Sequence, residues 1–336
     1  MPASPKISVI VPCFNQGEYL AEAVGSVLLQ SCQDFEILVA DDGSTDPQSV
    51  AVLETFARPK TTLYRRPHCG LAGTRNFLVG EARGQYLCAL DCDDRLHPDF
   101  LSRTSRVLDD TPDLTFVSTR LKMFGAADDL WPRTLRCDLP ALLAEDTVIT
   151  AALVRREAVV AVGGYDANMP HQGDEDWDLW ISLVEAGHRG EILPDVLFEY
   201  RRRPGSLVER CTRGATHLEL AAYLIEKHRG SYERHLHDVL LWKTEDLRSL
   251  LQRNAALEHE MFVFLTRAIE LKQHELHRLQ AKLRDPIQAA HTEELERMKA
   301  AYDNAVAEVR ALRSSVSWRL TSPLRRVYDF LRVASD

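Results

Sequence analysis

The stretch Tyr86-Leu87-Cys88-Ala89-Leu90-Asp91-Cys92-Asp93-Asp94 joins five apolar or aromatic residues to a cluster of three aspartates. The apolar run reads as a buried strand, and the sudden acidity marks its end. Side chains alternate faces along a strand, so Asp91 and Asp93, two positions apart, point to one side. Two carboxylates so placed suit a hard divalent cation, Mg²⁺ or Mn²⁺, bound through oxygen and completed by water and phosphate. A solvated turn that caps a following helix, Pro98 to Leu108, satisfies the same residues.

Upstream the same grammar repeats. Ile7 to Val11 reads as a buried strand stopped by Pro12, and Glu18 to Gln30 carries Leu20, Val24, Val27 and Leu28 at helical spacing. A second strand, Phe35 to Ala40, ends abruptly in Asp41-Asp42-Gly43-Ser44. A helix at Val50 to Phe56, a short strand at Thr61 to Arg65 and a helix at Gly73 to Ala82 lead back to the opening stretch. Strands alternating with helices, and carboxylates at strand ends, define an α/β domain with a mainly parallel sheet; such sheets bind ligands at the carboxyl ends of their strands.

Three further segments carry candidate chemistry. A carboxylate of Asp41 or Asp42 at a strand tip can accept from a base N–H or a ribose hydroxyl, or simply close a turn capped by Ser44 or Asp46. The glycine-bearing lead Gly70 to Asn76 puts Arg75 in a helix, toward a phosphate or toward solvent. The run Gly173-Asp174-Glu175-Asp176-Trp177-Asp178-Leu179-Trp180 holds four carboxylates in five positions. Their repulsion costs stability unless a partner, a metal or a proton relieves it. One of them could serve as general base toward an acceptor hydroxyl, and the two tryptophans as a sugar platform or as core. A negatively charged helix N-terminus, favourable to the helix dipole, reads equally well.

After residue 212 glycine nearly vanishes and the chain reads as helix. Phe262, Leu265, Ile269, Lys272, Leu276, Leu279 and Leu283 form one heptad seam, interrupted at Asp285-Pro286. Leu295, Met298, Tyr302, Ala305, Val309, Leu312 and Val316 form a second. Self-association as a coiled coil and a hairpin folded on itself both fit. The organisation expected is therefore residues 1–212 as the α/β domain, 213–312 as the helical region and 313–336 as a tail.

The bulk properties of the 336-residue chain set limits. Hydrophobic residues make up 45% and charged residues 27%, a globular profile. A formal net charge of -9 argues against nucleic acid as a main partner. Seven scattered cysteines without CxxC spacing suit reduced thiols in the cytoplasm. Met1 to Pro12 lacks the apolar core of a signal peptide, and no apolar run approaches the roughly 18 residues that span a bilayer.

The order of motifs is similar to that of the family 2 glycosyltransferases. Ser8-Val9-Ile10-Val11-Pro12-Cys13-Phe14-Asn15, Asp41-Asp42-Gly43-Ser44, Gly70 to Asn76, Asp91-Cys92-Asp93-Asp94 and Glu175-Asp176-Trp177 follow one another within residues 6–208. The resemblance implies a GT-A fold, an inverting displacement at the anomeric carbon and a nucleotide-sugar donor. It implies Pro12, Phe14 and Asn15 at the nucleotide edge, Asp41 or Asp42 on base and ribose, and Arg75 near the donor. Asp91 and Asp93 would carry ribose and metal contacts, with Asp93 the principal ligand of Mg²⁺ or Mn²⁺. Asp176, in its pair with Glu175, would be the general base.

Two departures qualify the picture. Arg203, in Tyr200-Arg201-Arg202-Arg203, occupies a region where family members often carry a metal-ligating His. The QxxRW-type motif of processive synthases is absent, which favours addition of one or a few sugars. The tail, with Trp318, Leu320 and Leu324 among arginines, resembles that of bacterial surface-polysaccharide enzymes and suits peripheral contact with the inner face of the plasma membrane. The acceptor expected is a glycan or lipid-linked glycan, and the helical region offers a route to a homo-oligomer. Two alternatives stand beside this reading. A sugar nucleotidyltransferase would carry a Gly-rich, basic N-terminal signature that Val11 to Asn15 lacks, and a non-catalytic GT-A-like scaffold would act through the helical region.

Overall fold

All seven residues of β1 (Ile7–Cys13) are buried, which only an apolar strand flanked on both sides tolerates. Its one hydroxyl is satisfied: Ser8 Oγ donates to Glu36 Oε1 at 2.7 Å and accepts from Gly84 N at 2.8 Å. The computed structural model describes residues 4–131, 134–203, 215–282 and 292–314. The expected tail falls largely outside these, as does Cys211.

β1 pairs in parallel with β2 (Phe35–Asp41) and with β4 (Tyr86–Ala89), and β2 pairs in parallel with β3 (Thr61–Arg65). Beyond β4 lie β7 (Leu153–Arg155), β6 (Phe116–Gly125), β8 (Gly190–Arg202) and β5 (Arg95–Leu96), giving the order β3-β2-β1-β4-β7-β6-β8-β5. The added half is mixed: β4–β7, β7–β6 and β8–β5 run antiparallel and β6–β8 parallel. The sheet is thus α/β and mostly parallel where the motifs sit.

Alternation along β1 feeds two apolar layers. Val9 and Val11 join Leu20, Val24 and Val27 of α1 (Gly17–Leu28) and Phe100 and Leu101 of α4 (Phe100–Asp110). Ile10 faces the other side with Leu78 of α3 (Leu71–Glu81) and Leu179, Trp180 and Leu183 of α7 (Glu175–Glu185). Each fully buried aliphatic side chain contributes about 1.5–3 kcal/mol. The remaining helices of this part are α2 (Pro47–Thr55), α5 (Leu139–Ala144) and α6 (Arg156–Ala161).

The first compact unit runs from Met1 to Thr244 and the second from Glu245 to Asp336. The first extends beyond the compositional change at 212 because α8 (Ala215–Lys227) and the start of α9 (Arg229–Lys282) bury Leu220, Leu224 and Val239. Tyr232 Oη also donates to Leu143 O at 2.9 Å. The second unit holds the rest of α9 and α10 (Thr292–Ser314). Gln273 Nε2 donates to Tyr302 Oη at 2.6 Å, and Leu265, Ile269, Leu276, Leu295, Met298 and Ala305 are half-buried. Gln273 and Tyr302 thus join α9 to α10; of the two expected seams, Phe262 and Lys272 stay exposed, and Leu283 and Val316 lie outside the described residues.

Among the described residues, no helix is long and apolar enough to cross a membrane.

Candidate active site

The chain leaves β1 toward β2 on one side and returns to β4 on the other, so the carboxyl ends of β1 and β4 flank a topological switch point. A crevice opens there by construction. A cavity of about 550 Å³ occupies it, lined by Pro12, Phe14, Asp42, His68, Arg75, Asp91, Asp93, Asp174, Glu175 and Asp176, among others. Motifs as far apart in sequence as Pro12 and Asp176 therefore share one space.

At the edge expected to meet the nucleotide, Phe14 is 39% exposed and stacks on His68, with ring centroids 4.3 Å apart. The pair offers a flat apolar surface of the kind a base can lie against. Asp42 is committed to shaping the loop beside it. Its Oδ1 accepts from Cys69 N at 2.8 Å and its Oδ2 from Gly70 N at 3.0 Å, with His68 Nδ1 2.8 Å from Oδ2. Gly70 at φ 82° can take this turn, where an added Cβ would also lie 2.8 Å from Gln172 Nε2.

Two expected nucleotide residues sit behind this edge. Asp41 Oδ1 accepts from Ser44 N at 2.9 Å, which closes the turn after β2. Asn15 Oδ1 accepts from Thr45 N at 2.7 Å and Asp46 N at 2.9 Å, and neither Asn15 nor Asp41 lines the cavity. Their hydrogen bonds hold the two strand-end loops against each other. His68 was missed in the sequence because nothing local distinguishes it from an ordinary loop histidine.

The floor is the acidic end of β4. Arg75, 1% exposed, donates to Asp91 Oδ1 and to Glu175 Oε1, both at 2.6 Å. Burial pushes its guanidinium down, but Asp91 and Glu175 override that and hold it more firmly charged than usual. Arg203 Nε donates to Asp93 Oδ2 at 2.9 Å, so this arginine reaches the acidic turn after β4. Burial and the neighbouring Asp91 push the Asp93 carboxyl up. Asp94, also in the cavity lining, is 2% exposed and accepts from Arg201 N at 2.8 Å.

Asp91 and Asp93 fit a divalent cation. Both are hard oxygen donors, and the hydrogen bonds above fall on one oxygen of each. Their mutual repulsion is what a cation would relieve. Among the described residues, no three His, Cys, Asp or Glu side chains converge as a ready-made metal group. The protein's contribution would be this pair, with the remaining ligands from water and donor phosphate.

The third wall is the N-terminus of α7, where the dipole favours carboxylates. Glu175 is held by Arg75 and by Gly173 N at 2.8 Å, and burial raises its pKa despite the arginine. Asp174 is pushed up to about 6 by burial and by Asp176 and Glu175. Asp176 lines the cavity and accepts from Thr150 Oγ1 and from Trp177 N. Asp178 departs from the group, 1% exposed, with Lys227 Nζ at 2.9 Å and His228 Nε2 at 3.0 Å. Trp180 is core against Phe116, while Trp177 reaches the cavity and donates from Nε1 to Leu142 O at 2.6 Å.

Residues 8–163 match the family described as "Glycosyl transferase family 2", and the fold is GT-A-like. It is 28% identical over 208 residues to the putative glycosyltransferase EpsE of Bacillus subtilis, covering 60% of this chain and 74% of that one. It is 30% identical over 246 residues to the protein y4gI of Sinorhizobium fredii, covering 69% of this chain but only 25% of that one. The solved structure of S. aureus TarS 1–349 with UDP-GlcNAc superposes with a TM-score of 0.52 at 19% identity, over 66% of this chain and 72% of that one. At that identity the likeness concerns the fold.

Proposed function

We propose that the chain is an inverting, metal-dependent glycosyltransferase that moves a sugar from a nucleoside-diphosphate sugar to a hydroxyl of a glycan or lipid-linked glycan. One observation carries the reading: Phe14–His68, Asp91–Asp93 and Asp176 line a single cavity. The base would lie on the Phe14 and His68 rings. The diphosphate would lie toward Asp93 and Arg203, whose guanidinium can pair with a phosphate oxygen. A bound Mg²⁺ or Mn²⁺, held by Asp93 and Asp91, would neutralise the departing diphosphate.

Asp176 would accept the proton of the acceptor hydroxyl as its oxygen forms the bond to the anomeric carbon. The nucleoside diphosphate leaves from the opposite face in the same displacement, which inverts that centre. Thr150 and Trp177 N would fix the Asp176 carboxylate for the transfer. A role in bacterial surface polysaccharide synthesis draws support from the Pasteurella multocida chondroitin and hyaluronan synthases, each 33% identical over 96 residues, about 10% of each synthase's length.

The test is calorimetric binding of nucleotide sugars to the full chain with and without Mn²⁺, followed by transfer assays. Binding strengthened by Mn²⁺ in the wild type, and no longer strengthened in Asp93→Ala, is the expected result. Absence of nucleotide-sugar binding would favour the scaffold reading. Asp93→Ala with undiminished turnover would remove Asp93 as metal ligand.

A further inference from the structure

We propose that the face of α9 between Leu247 and Leu271 joins two copies of this chain in a parallel, in-register, two-stranded coiled coil. Its positions fall at spacings of 3,4,3,4,3,4,3, a heptad repeat distinct from the seam that begins at Phe262. Leu250, Leu257, Phe264 and Leu271 take the d positions, and Leu247, Asn254, Met261 and Ala268 take the a positions.

The structure leaves this repeat exposed except at Ala268, which is half-buried. Leu247 is 55% exposed, Leu250 50%, Leu257 62%, Met261 44%, Phe264 71% and Leu271 64%. The half-buried residues Leu265 and Ile269 each follow a repeat position by one residue, which places them about 100° around the helix. The half-buried side and the exposed repeat are thus different faces of α9. Apolar side chains spaced at heptads along one continuous helix favour a second helix as their cover over solvent.

One feature selects a second copy, and its direction. A parallel in-register pair sets each a residue against its own counterpart, so Asn254 meets Asn254 and the two amides can hydrogen-bond. An antiparallel pair would set Asn254 against an apolar d residue and strand the amide. A single polar a residue is the known device for fixing register and two-strandedness. The flanking charges are neutral in this choice, since Arg253 at g faces Glu258 at e of the other strand while Arg267 at g faces Lys272, so the polar a residue alone sets the direction.

The inference is independent of the sugar-transfer reading. Sedimentation equilibrium of the full chain at tens of micromolar should give twice the chain mass. Leu257→Asp with Phe264→Asp should halve that mass with unchanged far-ultraviolet helicity, since both side chains are exposed within one chain. A wild-type monomer, or a double variant that stays dimeric, overturns the proposal. Asn254→Cys, oxidised beside the wild type under the same conditions, should yield a covalent dimer that the wild type does not. A dimer that fails to cross-link there overturns the parallel register. A monomer that binds anionic vesicles, and loses them in the double variant, assigns the face to lipid and also overturns it.

Discussion

The end of β4 and the start of α7 are two acidic clusters of similar composition that solve their repulsion in different ways. At β4, three aspartates are each met by an arginine segment: Asp91 by Arg75, Asp93 by Arg203 and Asp94 by the backbone of Arg201. At α7, the cluster splits. Asp174, Glu175 and Asp176 remain at the cavity, while Asp178 turns to Lys227 and His228 on the helices behind. The strand itself stops at Ala89, and a turn closed by Asp94 N donating to Asp91 O at 3.1 Å, not strand alternation, places the first set. A helix instead turns successive carboxylates about 100° apart. The first geometry leaves a carboxylate pair at the cavity, and the second separates cavity carboxylates from one turned into the helices behind. Arg75 joins the two and fixes their separation.

The comparison can be broken in order of expected effect. Asp176→Asn should lower kcat by about 10²–10⁴-fold, the usual worth of a general base, while the melting temperature holds. Steady-state assays with thermal denaturation check this, and equal loss on Asp178→Asn at unchanged stability would erase the division within α7. Arg75→Met should next cost about 3–5 kcal/mol of stability, because Glu175 would be left buried without its cation. Urea denaturation measures it, and a change below about 1 kcal/mol would mean that the two clusters stand without the bridge.

The smallest effect concerns His228. Burial lowers its pKa, but its bonds to Asp178 and Glu185 raise it above the usual value of 6.5 overall. The sign follows from linkage: its contribution to stability is fully present below about pH 6.5 and is lost as pH rises through the higher folded pKa. His228→Asn should flatten the stability decline of the wild type above that pH, read by melting temperature across a pH series. An unchanged slope would detach His228 from the anchoring of Asp178.

Much of this was legible in sequence because it depends on local periodicity. The apolar runs 7–11, 35–40 and 86–90 became β1, β2 and β4, since strands buried on both faces are written as continuous apolar residues. The order of acidic motifs also foretold the walls of the cavity. Arg75 was visible as a basic residue near the donor, but its two carboxylate partners, 16 and 100 residues away, were not. The roles of Asn15 and Asp41 as loop ties were likewise hidden, because a turn and a ligand contact use the same polar side chains.

Sequence by itself determined the alternating strands and helices, the acidic strand end and the heptad spacing of the C-terminal helices, all set by repeats of two, three or four residues. Tertiary structure alone decided which carboxylates face the cavity, that His68 stacks on Phe14, and which side of α9 is left uncovered. Those outcomes depend on long-range packing, in which burial and partner charges assign a role that the residue type leaves open.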